Sequence, residues 1–167
     1  MTFHELNLLP PGELKQHLFN CCGSTAWVNK MLPFFPMEDL VELLVDAEEQ
    51  WYSCKEEDWR EAFARHPAIG DTASLEKNPG AAAQWAMAEQ SGLNTASNET
   101  VCGMATGNDA YLRKFGYIFI VSATGKTAEE LLASLQQRLT NSPEEEIKIA
   151  ADEQNKITQI RLQKSIT

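Results

Sequence analysis

Helical periodicity constrains the fold of this chain more than any other feature of its sequence. Between Met37 and Tyr52, apolar side chains recur at the spacing of one helix face, and acidic side chains occupy the other face. This 3.6-residue pattern is typical of an amphipathic helix packed on a core. The apolar positions are Leu40, Leu43, Leu44, Ala47 and Trp51, and the acidic ones are Glu42, Asp46 and Glu49.

Helix-start signals recur along the rest of the chain. Hydroxyl residues followed three positions later by glutamate resemble capping boxes at Ser53-x-x-Glu56 and Thr127-x-x-Glu130,. Ser142-Pro143-Glu144-Glu145 combines an N-cap, a first-turn proline and acidic residues,. We predict an all-α, single-domain bundle of about six to eight helices. The predicted helices run from Leu8–Pro11 to about Cys22, and over Thr25–Leu32, Met37–Tyr52, Lys55–Ala64, Ala81–Ser91, Asn98–Phe115, Thr127–Leu139 and Ser142–Lys164.

One segment, Gly116 to Ser122, has the β-branched and aromatic content of a strand,. We find no partner strand for it, so we predict a buried extended connection near Ile118–Ser122. In the helix before it, we expect five side chains to point inward: Val101, Met104, Ala105, Tyr111 and Leu112.

Length and charge bound the possible functions. The 167 residues are enough for one domain spanning 1–167 with a hydrophobic core,. A net charge of −10 disfavours nucleic acid and anionic membranes as partners,. No apolar run is long enough to span a bilayer, and the first residues, with acidic Glu5, do not resemble a secretory signal,. The acidic charge, together with the expectation of reduced cysteines, favours the cytoplasm,.

The four cysteines predict neither zinc nor disulfides. Cys21, Cys22, Cys54 and Cys102 lack a C-x-x-C spacing and a nearby histidine pair,. We expect buried, reduced thiols and no metal.

The segment Arg65-His66-Pro67 contains the clearest candidate for a catalytic group. Proline disfavours the helical conformation of the residue before it, so His66 should lie where the preceding helix ends,. A titratable group there could face a pocket. The alternative is a helix-end histidine that interacts only with the last carbonyls and the helix dipole.

Two charged residues lie at the ends of apolar helix faces. Glu89 follows Ala82, Trp85 and Ala86 on one face, where burial would raise its carboxyl pKa and suit acid–base work,. Arg161 follows Ile147, Ala150, Ala151, Gln154 and Ile157, where its guanidinium could hold a carboxylate,. Glu89 could instead be a solvated edge residue, and Arg161 could extend towards solvent at a helix end.

Three ordered motifs resemble a known enzyme family. They are His66-Pro67-Ala68-Ile69-Gly70, Glu89-Gln90-x-Gly92, and Asn108-x-x-Tyr111-x-x-Lys114-Phe115-Gly116-Tyr117-Ile118-Phe119. Their order and spacing are similar to those of the 2-oxo-4-hydroxy-4-carboxy-5-ureidoimidazoline (OHCU) decarboxylases. The resemblance covers Leu8 to Leu162. It implies an all-α enzyme, usually a homodimer, that uses neither cofactor nor metal and forms (S)-allantoin in the last step from urate.

The resemblance also implies a set of site residues. His66 would be the catalytic acid–base group, with Glu89 beside it and Pro67 next to the small anionic substrate. We further expect Arg161 to bind that substrate, together with two segments: Ala86, Met87, Ala88, Glu89 and Gln90, and the backbone of Ile118, Phe119, Ile120, Val121 and Ser122. The family has serine where this chain has Ala86. We therefore expect weaker or rerouted substrate binding with activity retained. A non-catalytic helical interaction module is one alternative, and a related small-molecule enzyme on the same scaffold with a different ring substrate is another.

Overall fold

The computed structural model describes residues 1–67 and 97–167, and within these ranges the chain forms eight α-helices and no strand. The predicted all-α class is confirmed. A 3-10 turn, Leu32–Phe34, follows the third helix. The helices are α1 Phe3–Asn7, α2 Pro11–Cys21, α3 Thr25–Met31, α4 Leu40–Tyr52, α5 Glu56–Phe63, α6 Asn98–Phe115, α7 Ala128–Arg138 and α8 Pro143–Ser165. The predicted helix Ala81–Ser91 lies outside the described residues.

Side-chain caps fix most of the helix starts. The Ser24 hydroxyl accepts a hydrogen bond from the Trp27 N–H at the start of α3. Thr127 and Glu130 form the predicted capping box of α7, in which each side chain binds the other residue's backbone N–H. Ser142 and Glu145 bind each other in the same reciprocal way at the start of α8. Each cap satisfies backbone donors that the first helical turn leaves unpaired.

The predicted capping box at Ser53 is wrong. Ser53 instead ends α4, where its hydroxyl donates to the Gln50 carbonyl at 2.8 Å. The Asp58 carboxylate accepts the Lys55 N–H at 2.9 Å, one turn further along. A hydroxyl close to two helix ends can bind either a carbonyl or an N–H, and here it donates to the carbonyl.

Two other helix starts differ from the prediction. Helix α4 begins at Leu40 rather than Met37 because the Asp39 carboxylate accepts the Glu42 N–H at 2.9 Å. Helix α1 was not predicted, although Thr2 and Glu5 form a capping box at its start. Its five residues are too few to show helical periodicity,.

Contacts divide the chain into two compact units. Unit 1 comprises Met1–Ala62 and Gln154–Thr167, and unit 2 comprises Phe63–Glu153. In unit 1, the buried indole of Trp27 donates to the Ala47 carbonyl at 2.9 Å and ties α3 to α4. Asn155 and Gln159 of α8 donate to the Glu48 carboxylate and the Leu44 carbonyl, both at 2.8 Å.

In unit 2, helix α7 packs against α6 where α6 carries glycines. A Cβ on Gly107 would lie 2.6 Å from Leu135 Cδ2, and one on Gly103 would lie 3.1 Å from Leu132 Cδ2. This contact determines which face of α6 is buried. Met104 and Tyr111 are buried as predicted, but the predicted inward positions of Val101, Ala105 and Leu112 are wrong, because all three are exposed.

Three of the four thiols are buried as expected, and the expectation for Cys102 is wrong. Cys21, Cys22 and Cys54 are buried in unit 1. Cys102 lies on the exposed side of α6, next to Val101. In ranges 1–67 and 97–167, no helix combines the length and apolar character needed to cross a membrane.

Candidate active site

His66 lies one turn beyond the end of α5, as its following proline predicts. The buried Phe63 ends the helix, and the His66 N–H donates to the Phe63 carbonyl at 3.2 Å. His66 and Pro67 are both half-buried. The buried Phe63 therefore fixes the backbone three residues before His66, and the histidine remains partly exposed at the surface of unit 2.

The extended segment begins directly after α6. Gly116 ends the helix with φ +81°, a left-handed conformation that favours glycine, and its N–H donates to the Leu112 carbonyl at 2.9 Å,. The chain then runs without helix or strand through Tyr117–Ala123. Phe119, Ile120, Val121 and Ser122 are buried and Ile118 is half-buried, so the predicted buried extended connection is confirmed.

An aromatic contact ties this segment to the anchor of His66. The rings of Phe63 and Tyr117 have centroids 5.1 Å apart, and Tyr117 also packs on Tyr111 at 5.9 Å. Because Phe63 is three residues before His66, the contact brings the end of α5 beside the start of the extended segment. Within unit 2, the residue that ends α5 before His66 therefore contacts the residue that precedes Ile118–Ser122.

Two side chains of the described residues hydrogen-bond to the backbone of the extended segment. The Ile120 carbonyl accepts from Arg138 Nη1 at 2.5 Å, and the Ser122 N–H donates to Glu153 Oε2 at 2.9 Å. Within the described chain, the N–H groups of Ile118, Phe119, Ile120 and Val121 donate to no protein acceptor. Buried N–H groups almost always have a partner. These donors could therefore bind an anionic ligand.

The segment is braced by a buried ionic network that the sequence analysis missed. The Glu146 carboxylate is fully buried and accepts from Tyr111 at 2.5 Å, from Arg138 Nε at 2.6 Å and from Asn141 at 2.9 Å. Arg138 also lies 4.6 Å over the Phe119 ring. The available signal was the spacing Leu131, Leu135, Arg138, which places a guanidinium on the buried stripe of α7,.

The third sequence motif now has a structural explanation. Tyr111 binds Glu146, and Lys114 Nζ donates to the Leu139 carbonyl at 2.6 Å near the end of α7. Gly116 provides the left-handed turn. Burial raises the pKa of the Tyr111 phenol well above its ordinary value, and the hydrogen bond to Glu146 raises it further. Tyr111 therefore stays protonated as a donor, and the motif residues fix the entry to the extended segment.

Arg161 lies in unit 1, on the second half of α8. Its side chain is buried, as are Gln154 and Ile157 on the same stripe, so the predicted inward face is confirmed. The positive charge of Arg161 acts on Cys21 and Cys22, where it partly offsets the burial that raises both thiol pKa values to about 12. Its proposed contact with substrate remains a prediction.

Five predicted site residues lie outside the described ranges: Ala86, Met87, Ala88, Glu89 and Gln90. The pairing of Glu89 with His66 therefore remains a prediction from the sequence. Among the described residues, no group of three or more His, Cys, Asp or Glu side chains is arranged to hold a metal ion.

Comparisons with known proteins identify one family along most of the chain. The sequence model of OHCU decarboxylase matches residues 7–163. A crystal structure of OHCU decarboxylase in the presence of (S)-allantoin is 34% identical in sequence and superposes with a TM-score of 0.74. That match covers 88% of this chain and 94% of the other.

Two curated relatives are longer proteins. The uric acid degradation bifunctional protein TTL of Arabidopsis thaliana is 37% identical over 145 residues, which are 86% of this chain and 44% of the relative. The uric acid degradation bifunctional protein of Bacillus sp. (strain TB-90) is 24% identical over 169 residues, covering 98% of this chain and 32% of the relative. This chain thus spans less than half the length of either protein.

Proposed function

The chain belongs to the OHCU decarboxylase family, and from this premise we propose that it converts OHCU to (S)-allantoin and carbon dioxide, the last step from urate to allantoin. One observation of this structure supports the proposal most. The buried extended segment has backbone N–H groups that donate to no acceptor among the described residues. It begins beside Phe63, which lies three residues before the half-buried His66. Such donors suit a small anion, because a carboxylate accepts charge-assisted hydrogen bonds from backbone N–H groups.

The reaction needs proton transfers that these residues can provide. One ring carbon of OHCU carries the hydroxyl and the carboxylate, and its neighbour is an imine carbon. As carbon dioxide leaves, the electrons of the broken C–C bond move into the imine, whose nitrogen takes a proton. The resulting enediamine-like species loses its hydroxyl proton to form a carbonyl. A proton is then added to the former imine carbon on one face.

His66 is the proposed acid–base group for these transfers. It polarises or deprotonates the hydroxyl and returns a proton to the ring carbon, a role that contributes about 10²–10⁴-fold to the rate. Glu89 would orient the imidazole, and Arg161 would pair with the substrate carboxylate. Pro67 and the segment Ala86–Gln90 would contact the substrate ring. Backbone groups of Ile118–Ser122 would complete the binding of the anion.

Reaction in D₂O tests both the bond cleavage and the protonation. OHCU would be generated in place from urate by urate oxidase and the following hydrolase, with ¹³C in its carboxylate. We expect the chain to accelerate ¹³CO₂ release and to give (S)-allantoin carrying one deuterium at the former imine carbon. Racemic allantoin, formed at the rate of a sample without the chain, would refute the proposed activity.

The proposal also covers the domain organisation, oligomeric state, location and cofactor requirement of the enzyme. We propose that the chain works as one domain over residues 1–167, in a homodimer, in the cytoplasm, and needs neither metal nor cofactor. Sedimentation equilibrium of the purified chain tests the dimer, and a monomer at all concentrations would contradict it. Undiminished turnover after exhaustive treatment with chelator is expected if no metal takes part.

A protein-contact role is the second candidate, and one feature of unit 1 favours it. The exposed face of α4 lines an apolar groove of about 480 Å³ with Val41, Leu44, Val45 and Tyr52, flanked by Glu48 and Glu49. A non-catalytic interaction module would use such a surface. It would leave the D₂O reaction at its spontaneous rate, so the same experiment separates the two functions.

A further inference from the structure

Arg138 is a buried charged residue of unit 2. Removing a guanidinium from water costs several kcal/mol unless an opposite charge and well-formed hydrogen bonds compensate. Glu146 supplies the charge, and Tyr111 and Asn141 complete the hydrogen bonding of the Glu146 carboxylate. A further contact ties this network to the extended segment, because Arg138 Nη1 donates to the Ile120 carbonyl at 2.5 Å.

The Ile120 carbonyl belongs to a segment that runs without helix or strand from Tyr117 to Ala123. In the described ranges, no strand pairs with the extended segment, so no ladder of hydrogen bonds sets its orientation. Two side chains hold its backbone instead. Arg138 of α7 binds the Ile120 carbonyl, and Glu153 of α8 accepts the Ser122 N–H at 2.9 Å.

These two contacts determine where the other N–H groups point. A trans peptide is planar, so fixing the Ile120 carbonyl points the Val121 N–H in the opposite direction. In extended backbone, the polar groups of alternate residues point to the same side. The Ile120 carbonyl and the Ser122 N–H therefore point towards the side chains of Arg138 and Glu153. The N–H groups of Phe119 and Val121 point to the other side.

We propose that Arg138 is a positioning residue, which holds the Ile120 carbonyl so that the N–H groups of Phe119 and Val121 face the substrate anion. The proposal rests on the decarboxylase function proposed above. It names the two donors in the extended segment and the side chain that orients them. Arg138 acts through the backbone and does not touch the substrate.

Arg138→Lys is the variant that tests this role. Lysine keeps the positive charge beside Glu146, but its ammonium cannot reproduce the planar fork that spans Glu146 and Ile120. We expect KM to rise about tenfold, because the anion loses well-aligned donors. We expect kcat to change less than about threefold, since His66 is untouched.

Tyr111→Phe is the matched control in the same network. It removes the phenol contacts with Glu146 and with Arg138 Nη2, and it leaves the contact of Arg138 Nη1 with the Ile120 carbonyl. We expect lower stability with an unchanged KM. If both variants change KM equally, or neither does, the positioning role is refuted and the network is structural only.

A second variant keeps the inference testable if Arg138→Lys does not fold. Glu153→Ala removes the anchor at Ser122 without disturbing the buried ion pair. We expect a rise in KM in the same direction, with kcat changed less. A folded Glu153→Ala protein with the wild-type KM would contradict the proposed alignment.

Amide exchange separates this inference from the proposed function. The Val121 amide should exchange more slowly when (S)-allantoin is added to the wild type and to Tyr111→Phe. Arg138→Lys should lose that protection. A wild type that forms no allantoin from OHCU but shows this exchange pattern would refute the decarboxylase and retain the orientation. An active wild type in which all three proteins show equal exchange at Val121 would refute the orientation alone.

Discussion

His66 and Arg138 illustrate what can be predicted at the scale of single residues. The position of His66 depends on its neighbours in sequence, since Pro67 follows it and a helix precedes it, and so the sequence places it correctly,. The environment of Arg138 depends on Ile120 and Glu146, which lie 18 and 8 residues away. Periodicity can show that Arg138 faces inward, but it does not show which carbonyl the guanidinium meets.

Ala86 is the residue at which this chain departs from the family motif, and restoring serine there should strengthen substrate binding. One neutral hydrogen bond contributes about 0.5–1.5 kcal/mol. We therefore expect Ala86→Ser to lower KM by about two- to tenfold, as measured by initial rates of allantoin formation. Ala110→Ser, at an exposed position of α6, is the control and should leave KM unchanged. An unchanged or higher KM in Ala86→Ser would show that no hydroxyl is needed there.

At the scale of helices, the caps were predicted better than the buried faces. Thr127-x-x-Glu130 forms its capping box and Ser142 caps α8 as expected, because in both cases the partners lie within one helical turn,. The inward face of α6 was predicted from its larger apolar side chains, but α7 packs on Gly103 and Gly107. Glycines add no apolar side chain to the periodic pattern. Whether a glycine face is buried depends on a partner helix that sequence periodicity does not identify.

Gly107→Ala should therefore destabilise the α6–α7 contact. The new methyl group would meet Leu135 Cγ and Cδ2 at 3.1 and 2.6 Å, and such overpacking costs about 1–3 kcal/mol. The higher helix propensity of alanine offsets about 1 kcal/mol of this cost. We expect a net loss of about 1 kcal/mol in the free energy of unfolding, measured with urea.

Gly12→Ala is the matched control for this substitution. A Cβ at Gly12 of α2 meets no atom within 4 Å, so the variant should be neutral or up to about 1 kcal/mol more stable. Equal effects of the two substitutions would mean that α7 does not approach Gly107 closely in solution.

At the scale of the whole molecule, buried acidic protons should make stability depend on alkaline pH. Burial raises the pKa of Cys21 and Cys22 to about 12 and that of Cys54 to about 11, and it also raises the pKa of Tyr111. The unfolded chain loses the thiol protons above about pH 9 and the Tyr111 proton above about pH 10, while the folded chain retains them,. The contribution of these groups to the free energy of unfolding is therefore fully present well below pH 9. It falls as the pH rises, by up to about 1.4 kcal/mol per pH unit for each group.

Urea unfolding at pH 8 and pH 10 measures this dependence. We expect a lower free energy of unfolding at pH 10. Cys22→Ala should lower the free energy of unfolding at both pH values because it removes buried volume. The decrease between pH 8 and pH 10 should be smaller than in the wild type, because the contribution of the Cys22 thiol is absent. The same pH-dependent loss in Cys22→Ala and in the wild type would show that the Cys22 thiol ionises as easily in the folded chain as in the unfolded one.

The most direct test of the central claim is a circular dichroism time course of allantoin formation from freshly generated OHCU. It compares the wild type with His66→Ala and with His4→Ala, a control at an exposed histidine of α1. We expect a fast rise of (S)-allantoin with the wild type and His4→Ala. In His66→Ala the rate should fall about 10²–10⁴-fold while the helix signal is unchanged. A folded His66→Ala protein that works at the wild-type rate would contradict the role of His66, and racemic allantoin at the spontaneous rate in all samples would contradict the proposed reaction.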